Sequence, residues 1–386
     1  MNADAVAWRA TLESLPRAHG PPLAQALFKT SLEDFLVEET LGFAPDGGRA
    51  HWLLKVEKAG LDTLDVARSL ARTLRIPVSD VGFAGLKDRR AQARQWFTVP
   101  ATPDASALAS YREGSSEQGF RVLEAGAHSR KLRRGALEGN RFRIRLRAVT
   151  PPIEPSVLTQ RLSVLASVGA PNYFGPQRFG RDYANLERIG SWLGGGRPAY
   201  GREARAFVWS SARALIFNAV LASRVADGSW ARIVPGELVN LNGTRSFFCA
   251  PEVDAALERR LRGFDVHPTG PLAGGARTGR AGGARDPARG DGPVPGRSPI
   301  PEGEAGQREA AATEPFGSLI EALAAQGLEA ARRPLRVVPQ ELEGRIADDG
   351  MELRFALPAG SYATALLREC VDLTGLPAEQ ESEDAA

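Results

Sequence analysis

The stretch 81–100, VGFAGLKDRRAQARQWFTVP, holds the residues of this chain best suited to chemistry. One carboxylate, Asp88, sits among Lys87, Arg89, Arg90 and Arg94. Opposite charge that close favours the ionised form of an acid. An ionised carboxylate on a loop in a positive field can act as a nucleophile on an anionic substrate, and it needs no activating base. The same residues would also make a surface turn with local ion pairs, which are common and weak. Around Asp88 the sequence reads as a short apolar strand over 81–84, a glycine corner at Gly85, the charged loop, and a second strand over 95–99.

A second constellation lies over 130–147. Arg130, Lys131, Arg133 and Arg134 precede Gly139-Asn140, and an alternating strand follows. It turns Phe142, Ile144 and Leu146 one way and Arg141, Arg143, Arg145 and Arg147 the other. The apolar face should meet a core. A row of arginines is costly unless it meets an anion, so that face is a candidate for phosphate, with a solvated edge as the other reading. Metal chemistry finds no footing. Cys249 and Cys370 lie far apart, and His19, His51, His128 and His267 fall in no ligand spacing. Both thiols are expected to be reduced and structural.

Phe-Ala-Gly-Leu-Lys-Asp-Arg at 83–89 closely resembles the catalytic loop of the tRNA pseudouridine synthase D (TruD) family. So do the segments 130–147 (RKLRRGALEGNRFRIRLR), 170–180 (APNYFGPQRFG) and 357–369 (LPAGSYATALLRE), in the family's order and across most of the chain. The resemblance implies isomerisation of uridine to pseudouridine in tRNA, with position 13 of the D-arm as the family's usual target. Uracil leaves C1′ of its ribose, turns, and rejoins through C5. Nothing is oxidised and no group is imported, so no cofactor and no metal are called for. The resemblance gives the nucleophile's role to Asp88, which would attack C1′ or deprotonate the ribose toward a glycal. Extruding the uridine costs a few kcal/mol, which backbone contacts and a stacking residue can offset.

Further positions match parts of the family pattern that line the nucleotide pocket. Asn140 would orient the carboxylate and contact the base, since an amide both donates and accepts; on its own it is a turn asparagine after a glycine. Phe35 matches the family's aromatic from the first strand, and Tyr362 an aromatic at the pocket; either residue taken alone reads as core. In a second tier, Phe142 would stack on the base and Lys29 would pair with a phosphate or with Asp88. Glu38 and Glu39 make no acid pair, because adjacent strand residues face opposite ways. The loop over 172–180 could face RNA or pack at a domain junction. The chain departs from the family at Arg90, where histidine is common, and in the length of its low-complexity stretch.

These residues need elements to hold them. Strands are expected over 35–38 and 51–56, and a helix over 63–74 capped at Asp62 or Thr63. Residues 101–120 read as a loop or short helix, and 120–123 as a strand. Pro151-Pro152 and Pro155 mark a boundary, beyond which helices are expected over 156–168 and 206–226. A hairpin turning at Asn242-Gly243 follows, and then a Gly-, Pro-, Ala- and Arg-rich stretch over 268–313, expected to be disordered. Helical signal returns over 316–331, strands are expected over 335–341 and 351–357, and a helix over 361–374.

With the resemblance, this predicts an α+β fold: a pseudouridine-synthase-like catalytic domain with a mixed, largely antiparallel sheet, built from 1–150 and 335–386. A smaller inserted α+β (TRUD) domain over 151–334 interrupts it. The 386 residues, 43% hydrophobic and 25% charged, suit a soluble globular chain of two domains. The N-terminus lacks the plan of a signal peptide and no run of apolar residues suggests a membrane span, so a cytoplasmic protein is expected. At a net charge of +3, affinity for nucleic acid must come from local arginine clusters. The expected partner is tRNA alone, bound by a monomer. Two rivals remain at this stage. A catalytically inactive tRNA-binding or chaperone protein would have no use for an acid in a basic pocket. A methyltransferase would need a glycine-rich cofactor loop between strand and helix, a context that 268–313 lacks.

Overall fold

The computed structural model describes residues 3–101, 108–196, 201–275 and 300–374. Alternation along the strand Leu137–Thr150 sets the larger half of the molecule. Phe142, Ile144 and Leu146 are buried, while Arg141 and Arg143 are exposed. Around it forms an eleven-stranded sheet. The main path runs Gln340–Ala347, Gly350–Pro358, Leu137–Thr150, Phe35–Leu41, Gln92–Pro100, His51–Ala59, Gly119–His128, Arg112–Gly114. All neighbours are antiparallel except Phe35–Leu41 with Gln92–Pro100 and Ala24–Leu27 with Val371–Thr374. The mixed, largely antiparallel sheet expected for the α+β fold is present.

One face of this sheet is covered in two places. The helix Thr63–Leu74 lays Val66, Ala67, Leu70 and Leu74 on Leu54, Phe97 and Val99. It starts at the expected cap, where the Asp62 N–H donates to Asp65 Oδ2 at 3.1 Å. The helix Pro155–Val168 lays Leu158, Leu162 and Leu165 on Ile144 and Leu353. Between these apolar patches the buried face turns polar, at Glu39, Lys58 and Gln95, each at most 2% exposed. The loop that carries Asp88 crosses the sheet there, joining Gly82–Phe83 to Gln92–Pro100.

The inserted half has its own core. Leu215, Ile216, Phe217 and Leu221 of the helix Arg202–Ala226 are wholly buried among Phe174, Phe179, Leu319 and Leu323. By length and composition alone part of this helix could cross a membrane, but its apolar side is spent on that core. A four-stranded sheet, Phe247–Ala250, Glu237–Leu241, Val266–Leu272 and Ala331–Pro334, adjoins it. The chain leaves for this half and returns through paired short strands, Ala170–Pro171 and Arg336–Val337.

Several expectations need correction. The helix Pro155–Val168 belongs to the large sheet, so packing changes at the Ala170–Pro171 seam and not at 151. The N-terminal helix Ala3–Glu13 packs in the inserted core through Ala5 and Leu12, not in the catalytic half. The stretch expected to be disordered is ordered at both ends, because Val266–Leu272 is a central strand and the helix Gly303–Thr313 buries Ala305. Its middle, 276–299, lies outside the described residues, as does 102–107 of the expected loop. The C-terminal helix is only Ala363–Leu367, and Val371–Thr374 then pairs in parallel with Ala24–Leu27. That pairing spans the whole chain, so no local pattern announces it.

Candidate active site

The main chain around Asp88 is fixed almost residue by residue. The Gly85 carbonyl accepts from Gln95 Nε2 at 2.6 Å. The Lys87 N–H donates to Thr63 Oγ1 at 2.9 Å, and that hydroxyl donates to Gln95 Oε1 at 2.9 Å. The Asp88 carbonyl accepts from Lys58 Nζ at 2.8 Å, and Lys58 also donates to the Leu61 carbonyl at 2.7 Å. Arg89 Nε donates to the Gly60 carbonyl at 3.2 Å. The turn before the helix Thr63–Leu74 and the strand Gln92–Pro100 thus hold the loop on both sides. Buried polar groups satisfied in this way rigidify a site.

The charges near Asp88 are not those its sequence neighbours suggested. Lys29, 59 residues earlier, donates from Nζ to Asp88 Oδ2 at 2.5 Å. Lys29 is 5% exposed and the Asp88 side chain 40%, so the acid has a buried cation on one side and an open side opposite. Lys87 turns away to Glu39, Nζ to Oε2 2.6 Å, and the Trp96 N–H donates to the other oxygen of Glu39 at 3.2 Å. Arg94 lies on the opposite face of the sheet, 2.9 Å from Glu57 and 3.7 Å from Glu38. Arg90 is exposed, and Arg89 stands 4.0 Å from Asp62. Lys29 is in the left-handed region, with φ of 56°. A non-glycine residue held there reads as locally over-determined structure.

Strand register gathers the other expected residues. Glu39 stands opposite Asn140, Val37 opposite Phe142, and Phe35 opposite Ile144, so all share the face on which the Asp88 loop lies. The Phe35 ring is 6.0 Å from that of Phe142, which is 5.3 Å from Phe355. Lys29 Nζ sits 4.5 Å from the centre of the Phe35 ring, a cation–π contact that steadies the ammonium pointing at Asp88. Phe35 and Phe142 are both buried, and they lie on this same face of the sheet. Asn140 is seated beside Gly139, where an added Cβ would lie 2.5 Å from the Leu357 carbonyl oxygen. Its own Oδ1 is buried and meets no hydrogen-bond donor. An acceptor left in that state costs about 1–3 kcal/mol.

Tyr362 makes its contacts at the junction with the inserted half. It precedes the short helix Ala363–Leu367, and its hydroxyl accepts from Arg178 Nε at 2.8 Å. Its ring lies 5.7 Å from that of Phe174, and the Arg333 guanidinium stacks on Phe174 at 4.1 Å. Burial pushes Arg333 down to about 10. Of the two readings of 172–180, packing at the junction is the one realised: Tyr173, Phe174 and Phe179 are buried and Arg178 points inward, bonding Ser210 Oγ at 3.1 Å.

The arginine row on Leu137–Thr150 is largely neutralised within the chain. Arg147 lies 2.7 Å from Asp34 and 2.9 Å from Asp349. Arg145 meets Asp349 at 3.6 Å, and Arg141 meets Glu341 at 3.0 Å. Arg143 and Arg354 line an open cavity of about 680 Å³ on this face, together with Glu38, Glu57 and Glu343. Among the described residues no group of His, Cys, Asp and Glu is arranged to hold a metal.

Sequence reasoning missed Glu39 as the buried partner of Lys87, missed Lys58, and gave Thr63 and Gln95 no part in holding the Asp88 loop. A signal was present. Glu39 is in phase with Phe35 and Val37, and Lys58 with Leu54 and Val56, so each puts a charge on the apolar face of its strand.

Comparison with known proteins matches residues 20–199 and 292–370 to the family described as tRNA pseudouridine synthase D (TruD). The tRNA pseudouridine synthase D of Nitrosococcus oceani is 41% identical over 354 residues, covering 91% of this chain and 92% of its own. That of Methylococcus capsulatus is 39% identical over 365 residues, 93% of this chain and 95% of its own. A crystal structure from Methanosarcina mazei assigned to TruD superposes with a TM-score of 0.64 at 20% identity, over 92% of this chain and 95% of its own. That last likeness speaks for the fold.

Proposed function

The chain belongs to the tRNA pseudouridine synthase D family and is an isomerase of that kind, and from this premise we propose that Asp88 is its nucleophile and uridine 13 of the tRNA D-arm its target. The observation that carries the reading is the state of Asp88: one oxygen on the buried ammonium of Lys29, the other side open. In the reaction a flipped uridine enters over the sheet face that holds Phe35 and Phe142. An Asp88 oxygen attacks C1′ as the C1′–N1 bond breaks, the electron pair leaving with uracil. The freed base turns and C5 bonds C1′ as the carboxylate departs; C5 then loses its proton and N1 gains one, so no atom is added or lost. The alternative route, loss of the ribose C2′ proton to Asp88 and a glycal, balances equally. Lys29 stabilises the carboxylate in both. Asn140 Oδ1 receives the N3–H of uracil, which supplies its missing donor.

Tyr362 acts from the junction with the inserted half, where Arg178 fixes its ring. The partner in this reading is tRNA, met by a cytoplasmic monomer. The test is pseudouridine mapping on unmodified tRNA transcript, alongside a transcript with cytidine at position 13. One modified D-arm uridine, absent from the second transcript, is expected. Pseudouridine at another arm would overturn the target assignment.

A further inference from the structure

Lys58 has no part in the chemistry above, yet it is 1% exposed beneath the nucleophile. It lies on the strand His51–Ala59, in phase with Leu54 and Val56, which are completely buried. An ammonium in such a place costs several kcal/mol unless it is well bonded, and a leucine or methionine would fill the position without that cost. Burial does push Lys58 down, to about 8, with Asp88 and Asp62 acting in the opposite direction. Something must therefore recommend a lysine. Its Nζ bonds two main-chain carbonyls, Leu61 at 2.7 Å and Asp88 at 2.8 Å. The first belongs to the turn ahead of the helix Thr63–Leu74. The second belongs to the nucleophile.

A bond to the Asp88 carbonyl restrains the peptide plane, and with it the direction in which the side chain leaves the backbone. Lys29 restrains the far end of the same residue, at the carboxylate. Two buried lysines thus clamp one aspartate at both ends, while its remaining carboxylate face stays open. Displacement of a reacting group by about 1 Å can cost about 10²-fold in rate.

We propose that Lys58 is a positioning residue for the isomerisation, holding Asp88 by its main-chain carbonyl so that the carboxylate meets C1′. The inference rests on Asp88 being the nucleophile. A purely structural role is the competitor, in which Lys58 only satisfies the Leu61 carbonyl.

Lys58→Met keeps the length and volume and removes both bonds. Lys58→Gln, which retains one short donor, serves if the first variant does not fold. Val56→Ala, in the same core, supplies a destabilised control. All are compared with wild type and Asp88→Asn by single-turnover pseudouridine formation at saturating tRNA, tRNA affinity and thermal midpoint. The expected result is a rate at least about 30-fold lower for the Lys58 variant, with affinity within about threefold of wild type. Val56→Ala should keep a rate within about threefold of wild type despite its lower midpoint. A Lys58 variant within threefold of wild type, or a Val56→Ala rate that falls as far, overturns the inference. If Asp88→Asn retains activity, the nucleophile assignment fails instead.

Discussion

Most acidic side chains near this site are fully committed to a partner, and Asp88 is not. Burial works against ionisation of Asp34, but three hydrogen bonds from Arg147 hold its carboxyl below the usual range. Glu57 is likewise lowered against its burial by Arg94 and Arg121. Glu39 is closed in by Lys87 and the Trp96 amide. Asp88 alone of these keeps a large open side, with the ammonium of Lys29 on one oxygen. Lys29→Met should therefore slow the chemical step at least about tenfold at saturating tRNA, while leaving affinity nearly unchanged, as single-turnover kinetics and filter binding would read. Asn140→Ala should also slow the step, because uracil then loses its acceptor. Asp88 was legible in sequence because its motif is contiguous. Its counter-ion was reached only through the resemblance, which offered Lys29 for a phosphate or for Asp88: the neighbouring Lys87 serves Glu39 and Arg94 serves Glu57, while Lys29 arrives from another strand end.

Elements were readable where their pattern was local. The helix Thr63–Leu74 matches its expected bounds because apolar spacing and an aspartate cap coincide there. The strand Val371–Thr374 escaped notice because its partner is Ala24–Leu27, at the other end of the sequence. At the junction, Tyr362→Phe removes the acceptor from Arg178 and keeps the ring. A loss of about 1–2 kcal/mol in stability is expected by denaturant titration, with a rate within about threefold of wild type. In the small sheet, His267 is 5% exposed and accepts from Arg336 Nε at 3.2 Å. Burial, helped by Arg336, pushes it from 6.5 to about 4. Between those values the unfolded chain binds more protons, so stability from this group is complete above pH 6.5 and is lost as the pH falls through about 4. Its full span is about 3 kcal/mol. His267→Gln should flatten the acid limb of the stability curve by up to that amount.

At the scale of the molecule, one sheet carries the Asp88 loop and an insertion joins it through a two-strand seam. The resemblance made the two halves legible, but not their exchange of helices, since Ala3–Glu13 and Pro155–Val168 each pack with the half that sequence order did not assign them. The arginine strand looked like a phosphate track and is mostly internal wiring to Asp34, Asp349 and Glu341. Arg147→Gln should accordingly lower stability while leaving the slope of log affinity against log salt unchanged. A phosphate-binding arginine would instead reduce that slope by roughly 0.7–0.9. The central claim, that this enzyme makes pseudouridine through Asp88, is tested most directly with tRNA transcript tritiated at C5 of uridine. Joining C5 to C1′ must release that hydrogen to solvent. Wild type should release one tritium per tRNA and Asp88→Asn none, while both bind the transcript with similar affinity. Release by Asp88→Asn at the wild-type rate would contradict the account.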